Sequence, residues 1–163
     1  MADENEQLWK MALEEAKTQF EIDNFMEEQK EAIKAFFQNK NVLVNLPTGF
    51  GKSLIYQCLT IVGDVLHKKP RGSSVIVVIS PLRSLMNDQV AYLQSVGVPA
   101  IAITDEEDPE TVEQVMNGIY IVIYGSPECL LSMSTWRGIF QCESFRKMLI
   151  GVAIDEAHCI VQW

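Results

Sequence analysis

The sequence predicts an α/β domain built on a mostly parallel, doubly wound sheet, and three observations carry that expectation. Short apolar runs rich in Val and Ile alternate with stretches of helical periodicity. The run Leu46-Pro47-Thr48-Gly49-Phe50-Gly51-Lys52-Ser53 stands between one apolar run and one helical pattern. The pair Asp155-Glu156 ends another apolar run about a hundred residues downstream, a spacing suited to a phosphate loop that opens a nucleotide-binding domain.

Taken in order, residues 5–20 place Trp9, Leu13, Ala16 and Phe20 at helical spacing and predict an amphipathic helix. A second helix is expected from Glu27 to Gln38, with Ala32, Ile33, Phe36 and Phe37 as its apolar face, before Asn39-Lys40-Asn41 breaks the pattern. Five strands are expected at Val42–Leu46, Val75–Ser80, Ala100–Ile103, Ile119–Tyr124 and Leu149–Ile154. Their lack of polar alternation suits central strands covered on both faces by helices. Helices are expected at Lys52–Leu66, Leu82–Val96, Pro109–Asn117 and briefly after Pro127. Residues 68–74 and 104–108 read as loops, and no repeat or low-complexity tract interrupts the chain.

A length of 163 residues suits one domain with a substantial core, and 48% apolar with 21% charged residues suits an ordinary globular protein. No apolar run is long enough to cross a bilayer as a helix. The acidic start, Met1-Ala2-Asp3-Glu4-Asn5-Glu6, is the opposite of a targeting peptide, so a nuclear or otherwise intracellular location is expected. Cys58, Cys129, Cys142 and Cys159 are scattered, without the paired spacing of a zinc site, and are expected as reduced thiols. The net charge of −9 is uneven: residues 1–31 carry −7, residues 32–104 carry +5, and six acids fall within 105–113. The overall charge therefore says little about the surface near Lys52, though it weakens any expectation of tight DNA binding by this domain alone.

The chemistry follows from residue types. Glycines in the 46–53 run let backbone N–H groups turn toward phosphates, and a helix start adds favourable partial charge. Lys52 would reach the β- and γ-phosphates, and the Ser53 hydroxyl would ligate Mg²⁺. Leu46 stands where the strict pattern has glycine, so the loop is of the relaxed form. A carboxylate at the strand tip, Asp155, can hold Mg²⁺ through water, and Glu156 can activate the attacking water. An acidic pair at a strand end is often only a helix cap; the phosphate loop upstream decides for the metal reading.

Four segments, LPTGFGKSLIYQ at 46–57, VISPLRSLMNDQV at 78–90, YGSPECLL at 124–131 and IDEAHCIVQW at 154–163, resemble successive motifs of RecQ-type DNA helicases. The ending DEAHC-I-x-Q-W separates that family from DEAD- and DEAH-box RNA helicases. The resemblance covers the first RecA-like lobe, a P-loop NTPase fold, over 25–163. Residues 1–24 lie outside it as a helical extension, and the lobe is expected to be truncated at its C-terminal end.

What the resemblance implies falls on single positions. Gln29 matches the adenine-reading glutamine, and Pro47, Thr48, Gly49, Phe50, Gly51, Lys52 and Ser53 match the phosphate loop, with Phe50 where a small residue is usual. Ser53 and Asp155 match the magnesium ligands, Glu156 the water-activating base, and His158 the link between nucleotide and DNA. Gln162 and Trp163 match the start of a loop that senses single-stranded DNA. Ser80, Pro81, Asn87, Gln89 and Ser126 fall where the first lobe touches the DNA backbone. The resemblance implies ATP and Mg²⁺ as cofactors, single-stranded or forked DNA as substrate, and a second RecA-like lobe that supplies an arginine finger. Without that lobe, residues 1–163 are expected to bind ATP·Mg²⁺ weakly, hydrolyse it slowly and not unwind DNA. Two rivals stay open at this point: an RNA helicase lobe of the DEAD or DEAH type, and a truncated nucleotide-binding module without unwinding activity.

Overall fold

A computed structural model describes residues 2–106 and 108–162, with side chains from 4 to 106 and 108 to 159. The chain divides into two compact units, Met1–Arg71 and Gly72–Trp163.

The described part of the first unit is helical. Helix α1, Ala2–Phe20, turns Ala12, Leu13, Ala16 and Phe20 inward and packs along α4, Leu59–Leu66. Ala12 and Ala16 are fully buried, so the two helices meet on small side chains. On α4, Leu59, Ile61 and Val62 are buried together with the polar Thr60 and Asp64. Outside this seam, Arg71 donates to Glu15 Oε2 at 2.9 Å and also to Gln19 Oε1. Helix α2, Glu27–Phe37, buries Gln29, Ala32 and Ile33 and carries Glu27 and Glu28 in its first turn, favourably placed for the helix dipole. Helix α3, Lys52–Gln57, is separated from α4 by Cys58, so the single expected helix 52–66 is interrupted by one turn residue.

The expected strand Val42–Leu46 is not formed. Residues 41–47 have no regular structure and join no ladder, and Leu43 is 86% exposed. An apolar run becomes a strand only where a neighbour accepts its hydrogen bonds, and this segment has none among the described residues.

The second unit holds a four-stranded, all-parallel sheet in the order β2-β3-β1-β4. The strands are β1 Val75–Ile79, β2 Ala100–Ala102, β3 Val122–Gly125 and β4 Leu149–Ile154. Val77 of β1 is opposite Ile123 of β3 and Val152 of β4, while Ile101 of β2 is opposite Ile123. Parallel neighbours need crossovers, and helices supply them. These are α5 Arg83–Ser95, α6 Pro109–Met116, and the series α7 Pro127–Ser132, α8 Ser134–Gln141 and α9 Glu143–Met148 before β4. Val75, Val77 and Ile123 pack with Val115, Leu130, Trp136, Ile139 and Phe145 in one core. Ile76 and Val78 point to the opposite face by alternation and are equally buried. Trp136 is fully buried and donates through Nε1 to the Thr104 carbonyl at 3.0 Å, which satisfies its one polar atom. Strand β4 is an edge, with Val152 and Ile154 exposed. A 3₁₀ turn, Ala157–Gln162, follows it.

Candidate nucleotide-binding site

In the first unit the loop 46–53 is organised from three directions. Gly49 and Gly51 have φ of +88° and +66°, the left-handed region that side chains other than glycine rarely adopt. Gly51 is also the residue before α3, so this twist aims the chain into the helix that begins with Lys52. Gln29, buried in the first turn of α2, spans to the loop. Its Oε1 accepts from the Met26 N–H at 2.9 Å, and its Nε2 donates to the Phe50 and Gly51 carbonyls at 3.3 and 3.1 Å. A Cβ at Gly51 would lie 2.6 Å from that Nε2, so the approach itself demands glycine. Lys52 Nζ donates to the Leu46 carbonyl at 2.8 Å, closing the loop on itself. The Phe50 N–H adds a bond to the Pro47 carbonyl at 3.3 Å, and the Phe50 ring is half exposed. Pro47, Thr48 and Gly49 are exposed, and Lys52 and Ser53 are half-buried.

The loop thus offers a left-handed glycine pair, an ammonium group held by a single backbone carbonyl, and a hydroxyl one residue later. A phosphate oxygen can replace the Leu46 carbonyl on Lys52, exchanging a neutral acceptor for a charged one.

In the second unit the carboxyl ends of the strands gather the other candidates. The Asp155 N–H donates to the Ile79 carbonyl at 2.8 Å, and the Ser80 N–H donates to the Gly125 carbonyl at 3.0 Å. Asp155, Ser80 and Ser126 therefore stand together at the carboxyl edge of a parallel sheet, where open α/β folds bind ligands. Asp155 Oδ1 accepts from the Glu156 N–H at 3.0 Å. Glu156 has φ +53°, a strained conformation for a residue with a Cβ, and its carboxylate lies 3.3 Å from His158 Nδ1. His158 is otherwise exposed.

The expected DNA contacts are placed unequally. Asn87 is exposed on α5, and Pro81 and Gln89 are half-buried. Ser80 is 1% exposed, with its hydroxyl buried and without a hydrogen-bond partner among the described residues, so its side chain is not displayed to solvent. The Ser126 hydroxyl accepts from the Cys129 N–H at 3.2 Å and caps α7. The Gln162 side chain and Trp163 lie outside the described residues. Sequence reasoning missed the bonds from Gln29 to the loop carbonyls, which join residues 21 and 22 positions apart and leave no local signal.

The glycine-rich loop before a helix in the first unit and the all-parallel, helix-flanked sheet of the second are features of the P-loop α/β class. The sequence profile of the DEAD/DEAH box helicases matches residues 26–163, and the chain belongs to that family. Among similar proteins, ATP-dependent DNA helicase RecQ of Haemophilus influenzae is 38% identical over 93% of this chain and 23% of its own length. ATP-dependent DNA helicase hus2/rqh1 of Schizosaccharomyces pombe is 33% identical over 90% of this chain and 11% of its own. RecQ-like DNA helicase BLM of Xenopus laevis is 34% identical over 88% of this chain and 10% of its own. The RecQ resemblance read from the motifs is thereby borne out, and the chain spans roughly a tenth to a quarter of these relatives. Among the described residues, no helix is long and apolar enough to cross a membrane.

Proposed function

We propose that this chain is the ATP-binding lobe of a RecQ-type DNA helicase that acts 3′ to 5′ on single-stranded or forked DNA. The observation that carries the reading is the loop 46–53, held by Gln29 with Lys52 at its base. Lys52 binds the β- and γ-phosphates in place of the Leu46 carbonyl, and Pro47 to Gly51 form the cradle. Gln29 reads adenine by exchanging one of its loop bonds for the base edge, since its amide carries both a donor and an acceptor. The Ser53 hydroxyl and the Asp155 carboxylate are hard oxygen donors, the kind magnesium takes. When bound, the ion neutralises charge on the phosphate oxygens. Glu156 orients and deprotonates the attacking water. His158, on the Glu156 carboxylate, is the link by which DNA at the sheet edge is sensed at the nucleotide.

The relatives are DNA helicases by name, which favours DNA over RNA as the substrate. A second lobe, on the same polypeptide or another, supplies the remaining cation at the γ-phosphate and the other half of the DNA track. The protein acts inside the cell. The test is ATP hydrolysis by this chain with single-stranded DNA or with RNA of the same length and sequence. DNA is expected to raise the slow basal rate; stimulation by RNA alone would overturn the reading.

A further inference from the structure

Residues 72–163 carry eleven acids and only four Lys or Arg: Arg83, Arg137, Arg146 and Lys147. A unit so acidic is poorly suited to approach a polyanion, which makes the position of each cation informative. Arg83 is the one cation between residues 72 and 136. It opens α5, three residues after Ser80, at the same carboxyl edge of the sheet that gathers Ser80, Ser126 and Asp155. It is not idle: Arg83 Nη2 bonds Asp105 Oδ1 at 3.1 Å, with both side chains largely exposed. Asp105 lies in the turn just after β2, in a stretch held at Thr104 by the Trp136 indole and beyond Asp105 by short-range bonds. The Glu106 N–H bonds the Thr104 hydroxyl at 3.2 Å, and Asp108 caps α6 by accepting from the Thr111 N–H at 3.0 Å. The first turn of α5 contains no acid of its own.

We infer that Arg83 is a phosphate-binding residue of the DNA track and that Asp105 is its intramolecular competitor, a latch that DNA must displace. The inference rests on the reading of this chain as a DNA-binding lobe. A carboxylate and a phosphodiester present the same kind of charged oxygen to a guanidinium, so the two ligands exclude one another on Arg83. The exposed pair is weak, so phosphate can displace it, yet it raises the threshold for binding. The consequence is selectivity for ligands that place several phosphates along the edge at once, rather than for isolated anions.

The test is a set of anisotropy titrations of dye-labelled oligothymidylate with the 163-residue chain at several salt concentrations. Wild type, Asp105→Asn, Arg83→Ala and the double variant are compared, with Glu143→Gln as a charge control that opens the separate Glu143–Lys147 pair. Circular dichroism verifies folding, and Arg83→Lys keeps the charge while losing the fork geometry. Asp105→Asn is expected to bind about threefold tighter than wild type, and more tightly than Glu143→Gln. Arg83→Ala is expected to bind about fivefold more weakly, with the log–log salt slope shallower by about 0.7, the signature of one lost phosphate contact. In the Arg83→Ala background, Asp105→Asn is expected to have little further effect. Equal gains from Asp105→Asn in both backgrounds, or wild-type binding by Arg83→Ala, overturn the latch while leaving the DNA reading intact. Absence of binding by every variant at low salt overturns the DNA reading and the latch with it.

Discussion

Gln29 Nε2 donates to the Gly51 carbonyl at 3.1 Å, so the helix preceding the phosphate loop holds the loop by its backbone. The same amide also reaches the Phe50 carbonyl, and its oxygen is bound to the Met26 N–H. All three bonds are internal to the protein, so the adenine role proposed for Gln29 would couple base recognition to loop shape through one side chain.

Gln29→Ala removes the tether and leaves two loop carbonyls without this donor. Adenine nucleotide affinity is expected to fall about tenfold, on the order of 1.4 kcal/mol, the size of one or two hydrogen bonds at a buried amide. Gln29→Glu is expected to be worse, because a carboxylate would face the same carbonyls. Fluorescent-nucleotide titration checks both variants.

Gly51→Ala is expected to disrupt the loop more than Gly49→Ala. Both positions have positive φ, but only at Gly51 would the added Cβ meet Gln29, at 2.6 Å; at Gly49 nothing lies within 4 Å. Paired nucleotide titrations of the two variants should show the larger loss for Gly51→Ala.

Ser80→Ala is expected to leave folding stability unchanged or raise it by up to about 1 kcal/mol, since the buried hydroxyl has no hydrogen-bond partner among the described residues. Trp136→Ala, in contrast, is expected to cost about 3–5 kcal/mol by emptying the core and stranding the Thr104 carbonyl. Urea denaturation of the two variants gives the comparison.

The thiols are expected to separate by reactivity. Hydrogen bonding from the Ser144 hydroxyl, aided by the N–H groups of Ser144 and Phe145, holds the half-exposed Cys142 thiol below the usual range, whereas burial pushes the Cys58 thiol far up. Alkylation rises with pH as thiolate forms, so Cys142 is expected to react at a lower pH than Cys58, which stays protected until unfolding. Peptide mass mapping after brief iodoacetamide treatment reads the order.

The legible parts of the fold are those where composition and partner coincide. Strand Leu149–Ile154 matches its expected bounds, and Val75–Ile79 differs by one residue, because each is an uninterrupted apolar run that finds a ladder. Val42–Leu46, apolar except for Asn45, joins no ladder among the described residues, and a sequence window does not register whether a neighbour is there to pair. Helices α8 and α9 went unforeseen, although Trp136, Ile139 and Phe140 carry helical spacing that would have revealed the first. The proposed roles of Lys52, Ser53, Asp155 and Glu156 rest on short local patterns that a sequence displays directly. The bonds from Gln29 to Phe50 and Gly51 and from Arg83 to Asp105 join distant residues and emerge only from the fold.

The Lys52 ammonium group is expected to exchange the Leu46 carbonyl for a nucleotide phosphate. Calorimetric titration of ATP with excess Mg²⁺ into wild type and Lys52→Ala measures that exchange. Wild type is expected to bind saturably and the variant to lose at least about a hundredfold in affinity, as when a charge-assisted contact to phosphate is removed. Equal affinity in the two proteins would contradict that exchange.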